Sequence, residues 1–217
     1  EEPDYSMIDF SFYSDLESLK ERLGNTNHKK KNSYDMNTNY WKKEDSKNKH
    51  DVKEQDSKKI AFSFQLRHLL LSNTSLKILL LNGNHLGNSV TYTILQSLKY
   101  NSSLTELYLG GNSISDLALK GFSDVLPESS LHVLELNTNL ISDEGFKEIV
   151  DGLFTNSNLH LLNMNNNKLT ENSCYTLMLM LDEGLCPSLT KVSLMLNNIL
   201  RETQLEMLKL CPILKFN

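Results

Sequence analysis

The sequence predicts an α/β solenoid of stacked strand–helix units, and three observations predict it. Five segments align in phase: LKILLLNGNHL from Leu76, LTELYLGGNSI from Leu104, LHVLELNTNLI from Leu131, LHLLNMNNNKL from Leu159 and LTKVSLMLNNI from Leu189. Their ninth-position asparagines, Asn84, Asn112, Asn139, Asn167 and Asn197, recur at spacings of 28, 27, 28 and 30. Between the segments, apolar residues return at helical spacing behind a serine or threonine. A fixed period of this length is the signature of a stacked repeat.

Each segment fits LxxLxLxxNx(L/I), the third ending irregularly in Leu140-Ile141. The first, fourth and sixth positions point inward from a short parallel strand, and the third and fifth face out. The asparagine turns the chain out of the strand, its amide serving backbone groups left unpaired there. No unit buries its own leucines, so neighbours must stack. Ser89, Ser115, Ser142 and Thr170 stand where helix N-caps belong, with Asp143, Glu144 and Glu171 near positive helix ends. The expected inward faces are Val90, Ile94, Leu95 and Leu98; Phe122, Val125 and Leu126; Phe146, Ile149, Val150 and Leu153; Leu177, Met178 and Leu181; and Leu205 and Leu208.

With these residues in view, the chain resembles the 28-residue leucine-rich repeats of ribonuclease inhibitor, tropomodulin, Ran GTPase-activating proteins and NOD-like receptors. The resemblance covers about residues 60–217. It implies a leucine-rich-repeat solenoid of the ribonuclease-inhibitor type, a curved horseshoe of about five to six repeats with parallel strands concave and helices convex.

Both ends are irregular. Residues 61–73 read as the helix of a further unit whose strand is not directly upstream. Residues 25–59 carry ten lysines against six acids and read as a flexible Asn/Lys-rich insertion, more a solvated linker than a nucleic-acid arm. Ahead of it, Met7 to Phe12 alternates as a strand does, and Ser14 to Glu17 is a capping box opening a helix to Leu23. The missing strand is therefore expected at Ile8-Asp9-Phe10, with residues 1–24 an N-terminal cap or degenerate repeat and 60–217 the repeat domain. Leu214 begins a last short strand.

Composition narrows the function. The 217 residues carry 22 Lys and Arg against 27 Asp and Glu, a net charge of −5. No apolar run is long enough to span a membrane. Glu1-Glu2-Pro3-Asp4 lacks a signal peptide's pattern and an initiator Met, so the chain is read as an intracellular protein, cytoplasmic or cytoskeletal, or a piece of one. Three cysteines, an odd number, argue against a disulfide framework. Cys186 and Cys211 each precede a proline at the same phase of adjacent units, three residues ahead of Leu189 and Leu214, and are read as free thiols. The sequons at Asn73 and Asn101 fall just before strands, where a turn explains them better than a glycan. No HExxH, Walker loop, GxGxxG, CxxC or nucleophile elbow occurs, so neither catalysis nor a cofactor is expected. His132 and His160 share the second position of adjacent units, but Lys77, Thr105 and Thr190 offer no third metal ligand.

The concave face departs from an ordinary surface. Its third positions are Ile78, Glu106, Val133, Leu161 and Lys191, and its fifth are Leu80, Tyr108, Glu135, Asn163 and Ser193. Ile78, Leu80, Tyr108, Val133 and Leu161 make an apolar centre, with Tyr108 the expected anchor and Glu106, Glu135 and Lys191 as its rim. The expected partner is another protein, the role a scaffold in a cytoskeletal or axonemal assembly. The alternatives are regulation of a small GTPase, actin binding or ligand sensing. Actin binding is disfavoured because residues 1–24 have no counterpart of tropomodulin's actin-binding helices.

Overall fold

The structure is a computed structural model that describes residues 6–9, 51–182, 184, 186–211 and 213–216, the side chains of 51–58 excepted. Seven strands form one parallel sheet in chain order: β1 (Met7–Asp9), β2 (Ile78–Leu80), β3 (Glu106–Tyr108), β4 (Val133–Glu135), β5 (Leu161–Asn163), β6 (Lys191–Ser193) and β7 (Leu214–Lys215). Consecutive strands pair without register slip, Ile78 beside Glu106, then Val133, then Leu161, then Lys191. A second layer carries α1 (Asp51–Ser72), α2 (Gly87–Ser97), α3 (Asp143–Leu153), α4 (Glu171–Asp182) and α5 (Arg201–Leu210).

The core lies between these layers. Leu79, Leu107, Leu134, Leu162 and Val192 form its central row, with Leu81, Leu109, Leu136, Met164 and Leu194 beside them, all fully buried. Each such side chain is worth about 2 kcal/mol of transfer free energy. Asn139 shows how the turn is held. Its Nδ2 donates to the carbonyls of Leu109 and Leu136 at 3.0 Å, and its Oδ1 accepts from the N–H groups of Asn112 and Ile114 at 3.0 Å. Asn112, Asn167 and Asn197 repeat these bonds, so the asparagines form the expected ladder.

β1 supplies the missing strand one residue early, at Met7–Asp9; Phe10 lies outside the described residues. The N–H groups of Lys77 and Ile78 donate to the Ser6 carbonyl, just as those of Thr105 and Glu106 donate to Lys77. Helix α1 reaches back to Asp51, so residues 51–59, expected in the insertion, are helical. The helix expected at 14–23 and the rest of the Lys-rich stretch lie outside the described residues.

Four expectations are corrected. Ser89 is no N-cap: α2 starts at Gly87, whose φ of +68° turns the chain into the helix two residues sooner. Three 3₁₀ turns, Asp116–Leu119, Phe122–Asp124 and Leu126–Glu128, replace the expected helix between β3 and β4. Gly121 is left-handed there, and Pro127 brings no N–H. Leu205 is 51% exposed, while Thr203 and Met207 face the core of α5. Finally, Leu214 pairs with Val192, not with the first-position Leu189, so Cys211 takes that inward place and is out of phase with Cys186. Both are free and buried, as is Cys174.

A second ladder holds the helix starts. Asn88, Asp116, Asp143 and Glu171 accept, respectively, the backbone N–H of Ser115, Ser142, Thr170 and Leu200 one unit on. Asp116 also takes the Ser142 hydroxyl at 2.7 Å and the Gly145 N–H at 3.1 Å. Gly145 admits it: a Cβ there would lie 2.5 Å from the Asp116 carboxylate. Ser115 and Ser142 hold N-cap positions without capping through their hydroxyls, and at the Ser142 helix Asp116 of the preceding unit takes the Gly145 N–H instead.

Candidate protein-binding face

Strands β2 to β5 expose their first and third residues halfway and bury the second. This alternation follows from the pleat. Parallel register lines the outward residues into two rows. One runs Met7, Ile78, Glu106, Val133, Leu161, Lys191, and the other Asp9, Leu80, Tyr108, Glu135, Asn163, Ser193, Lys215.

All nine residues expected on this face stand on it: Ile78, Leu80, Glu106, Tyr108, Val133, Glu135, Leu161 and Asn163 half-buried, Lys191 exposed. The glutamates are not its rim, however. Glu106 sits beside Val133 and Glu135 beside Tyr108, on the adjacent strands β3 and β4. They divide the apolar residues into one group of Met7, Ile78, Leu80 and Tyr108 and another of Val133 and Leu161. The shift of the charged residue from third to fifth position between β3 and β4 makes this diagonal.

The face has its own hydrogen bonds. The Tyr108 hydroxyl donates to Glu106 Oε2 at 2.7 Å. Burial, that bond and the charges of Glu106 and Glu135 push the phenol up to about 12. Tyr108 therefore offers a partner its ring, its hydroxyl being already engaged. Asn163 Nδ2 donates to Glu135 Oε2 at 3.4 Å, a long contact. Ser193 is buried and donates to Asn165 Oδ1 at 2.7 Å, which removes it from the accessible face. The ion pairs among the described residues are Lys99–Glu128 and Lys147–Asp151, so Glu106 and Glu135 have no cationic partner there.

Sequence reading missed β1's share of the face. Met7 and Asp9 extend both rows, and the alternation from Met7 was the signal for it. His132 and His160 do meet, with ring centroids 5.2 Å apart in a T-shaped contact. No group of three or more metal-ligating side chains occurs among the described residues. Asn101, the buried sequon asparagine, donates through Nδ2 to the Leu70 carbonyl at 2.6 Å, which uses the nitrogen a glycan would need. No helix among the described residues is long and apolar enough to cross a membrane.

No family model matches the sequence. Among curated proteins the chain is similar to "NACHT, LRR and PYD domains-containing protein 3" of Rattus norvegicus, 30% identical over 150 residues. The match takes in 68% of this chain and 14% of that protein. The chain is of the leucine-rich-repeat type. Among solved structures, "Leiomodin-1 Actin-Binding Site 2 (ABS2)" is similar at 18% identity over 69% of this chain and 71% of that one. Its TM-score of 0.38 is too low to carry an argument about fold or function.

Proposed function

We propose that this chain is a protein-interaction module, a leucine-rich-repeat solenoid of the ribonuclease-inhibitor type whose outward sheet face is the concave side of a horseshoe. It binds another protein through that face and carries out no chemistry itself. The observation behind this reading is the exposure, on strands held by parallel pairing and by the asparagine ladder, of Ile78, Leu80, Tyr108, Val133 and Leu161. Apolar and aromatic side chains held half-open on a rigid support bind a partner at little cost in lost freedom. An intracellular setting fits three buried free thiols.

The test is affinity capture from the native cell, comparing wild type with Tyr108→Ala/Leu161→Asp after circular dichroism has shown the variant folded. A partner enriched by wild type and lost by the variant, then reconstituted from purified components, supports the reading. Partners that bind both equally move the site to the helical side.

A further inference from the structure

Glu106 and Glu135 stand half-buried on the adjacent strands β3 and β4 among apolar side chains, without a cation from the described residues. Glu106 Oε2 takes the Tyr108 hydroxyl, and Glu135 Oε2 takes only the long Asn163 contact. Partial desolvation disfavours a carboxylate unless opposite charge compensates it. Among the described residues the lysines on this face, Lys191 and Lys215, stand on β6 and β7. From β4 to β6 is two strand spacings, about 10 Å or one Debye length at physiological salt, and no ion pair among the described residues joins these lysines to Glu106 or Glu135. The face is thus acidic over β3–β4 and basic at β6–β7, with Leu161 and Asn163 of β5 between.

We propose that the occupant of this face is a protein segment presenting a Lys or Arg side chain flanked by apolar ones, its cation received between Glu106 and Glu135. The inference rests on the reading of the face as a binding surface. Val133 and Leu161 on one side and Leu80 and Tyr108 on the other receive the apolar neighbours. Lys191 favours an acidic group farther along the same segment. Opposite charge over β3–β4 steers encounter and fixes register, while the apolar contacts supply most of the affinity. A nucleic acid would bring phosphates onto two uncompensated carboxylates, which disfavours it.

Fluorescence anisotropy tests this with three labelled peptides alternating leucine with arginine, with serine or with glutamate. They are titrated into wild type, Glu106→Gln/Glu135→Gln and Leu80→Asp/Leu161→Asp, each first shown to melt cooperatively. On wild type the arginine peptide should bind about tenfold or more tighter than the serine peptide. The glutamine variant should abolish that advantage and leave serine-peptide affinity unchanged. An arginine peptide with no advantage on wild type, or one that keeps it on the glutamine variant, overturns the proposal. If all three peptides bind wild type alike and the aspartate variant loses them, the face binds but its charge reading is wrong. If no peptide binds wild type, or the aspartate variant binds like wild type, the reading of the face falls with it.

Discussion

Around β4 and β5 each apolar position of the strand pattern is covered: Leu134, Leu136, Leu162 and Met164 are fully buried, and Phe146 and Ile149 of α3 join the same buried core. Around β6 and α5 the inward Val192 and Leu194 are buried as well, but Leu196 and Leu200 beyond the strand and Leu205 and Leu210 on the helix are all more than half exposed. The difference is one of neighbours. Among the described residues α3 is flanked on both sides, by the 3₁₀ turns and by α4, whereas α5 packs against α4 alone in the helix layer. In a stacked solenoid, burial is a property of the interface between units and not of a unit's own sequence.

The largest effect that sharpens this comparison comes from truncating a leucine in each region. Leu134→Ala in the middle leaves a cavity between fully covered rows and should cost about 2–5 kcal/mol. Leu205→Ala at the C-terminal end should change stability by no more than about 0.5 kcal/mol. Denaturant unfolding monitored by circular dichroism checks both. Equal losses would mean that Leu205 is covered in solution and that the two regions do not differ.

How far the sequence was legible follows the same line. The LxxLxLxxN spacing located β2 to β6, their inward leucines, the asparagine ladder and both rows of the outer face, because each depends on residues within one short segment. Features set between units were harder. Leu205 follows a helical pattern yet has no neighbour among the described residues to cover it. The Asn88, Asp116, Asp143 and Glu171 ladder went unread although its members recur 27 or 28 residues apart, since a carboxylate near a helix start is first taken to serve its own helix. Gly121 and Pro127 did signal the broken helix before β4, but the apolar pattern of Phe122, Val125 and Leu126 outweighed them. The phase of the last strand slipped because Cys211, not a leucine, fills the first position and stands 22 residues after Leu189, against 28 from Leu76 to Leu104.

A second, smaller effect concerns the eighth position, which is left-handed throughout: Gly83 at φ +70°, Gly111 at +69°, Thr138 at +57°, Asn166 at +53° and Leu196 at +57°. Glycine adopts this backbone without strain, and a residue with a Cβ loses about 1 kcal/mol. Leu196 is also 78% exposed, so it gains nothing from burial in return. Leu196→Gly should stabilise the protein by about 0.5–1 kcal/mol, raising Tm by a few degrees. Gly111→Ala should lose a similar amount, since a Cβ there meets nothing nearer than 3.6 Å and only the backbone preference changes. Calorimetry decides it. A Leu196→Gly variant that melts lower than wild type would show that Leu196 has a packing role in solution.

The smallest effect distinguishes the two regions by pH. Asp143, in the middle, accepts the Thr170 N–H at 2.8 Å, the Thr170 hydroxyl at 2.5 Å and the Ser173 hydroxyl. Glu171, one unit on, accepts only the Leu200 N–H, at an exposed site. Burial works to raise the Asp143 carboxyl, but the bonds from Ser173 and Thr170 outweigh it and hold the group below the usual aspartate value. A carboxylate with a depressed pKa in the folded state stabilises that state above its unfolded pKa and stops doing so as pH falls through its folded one. Asp143→Asn should therefore cost about 0.5 kcal/mol near neutrality, a modest figure because the site is largely solvated. The gap from wild type should close as pH falls below the ordinary aspartate range. Glu171→Gln should cost less near neutrality, since a single exposed bond is at stake. Denaturant midpoints taken from neutral to acid pH test this. A gap for Asp143→Asn that stays constant down to acid pH would mean that the bonds, and not the charge on Asp143, tie α4 to the preceding unit.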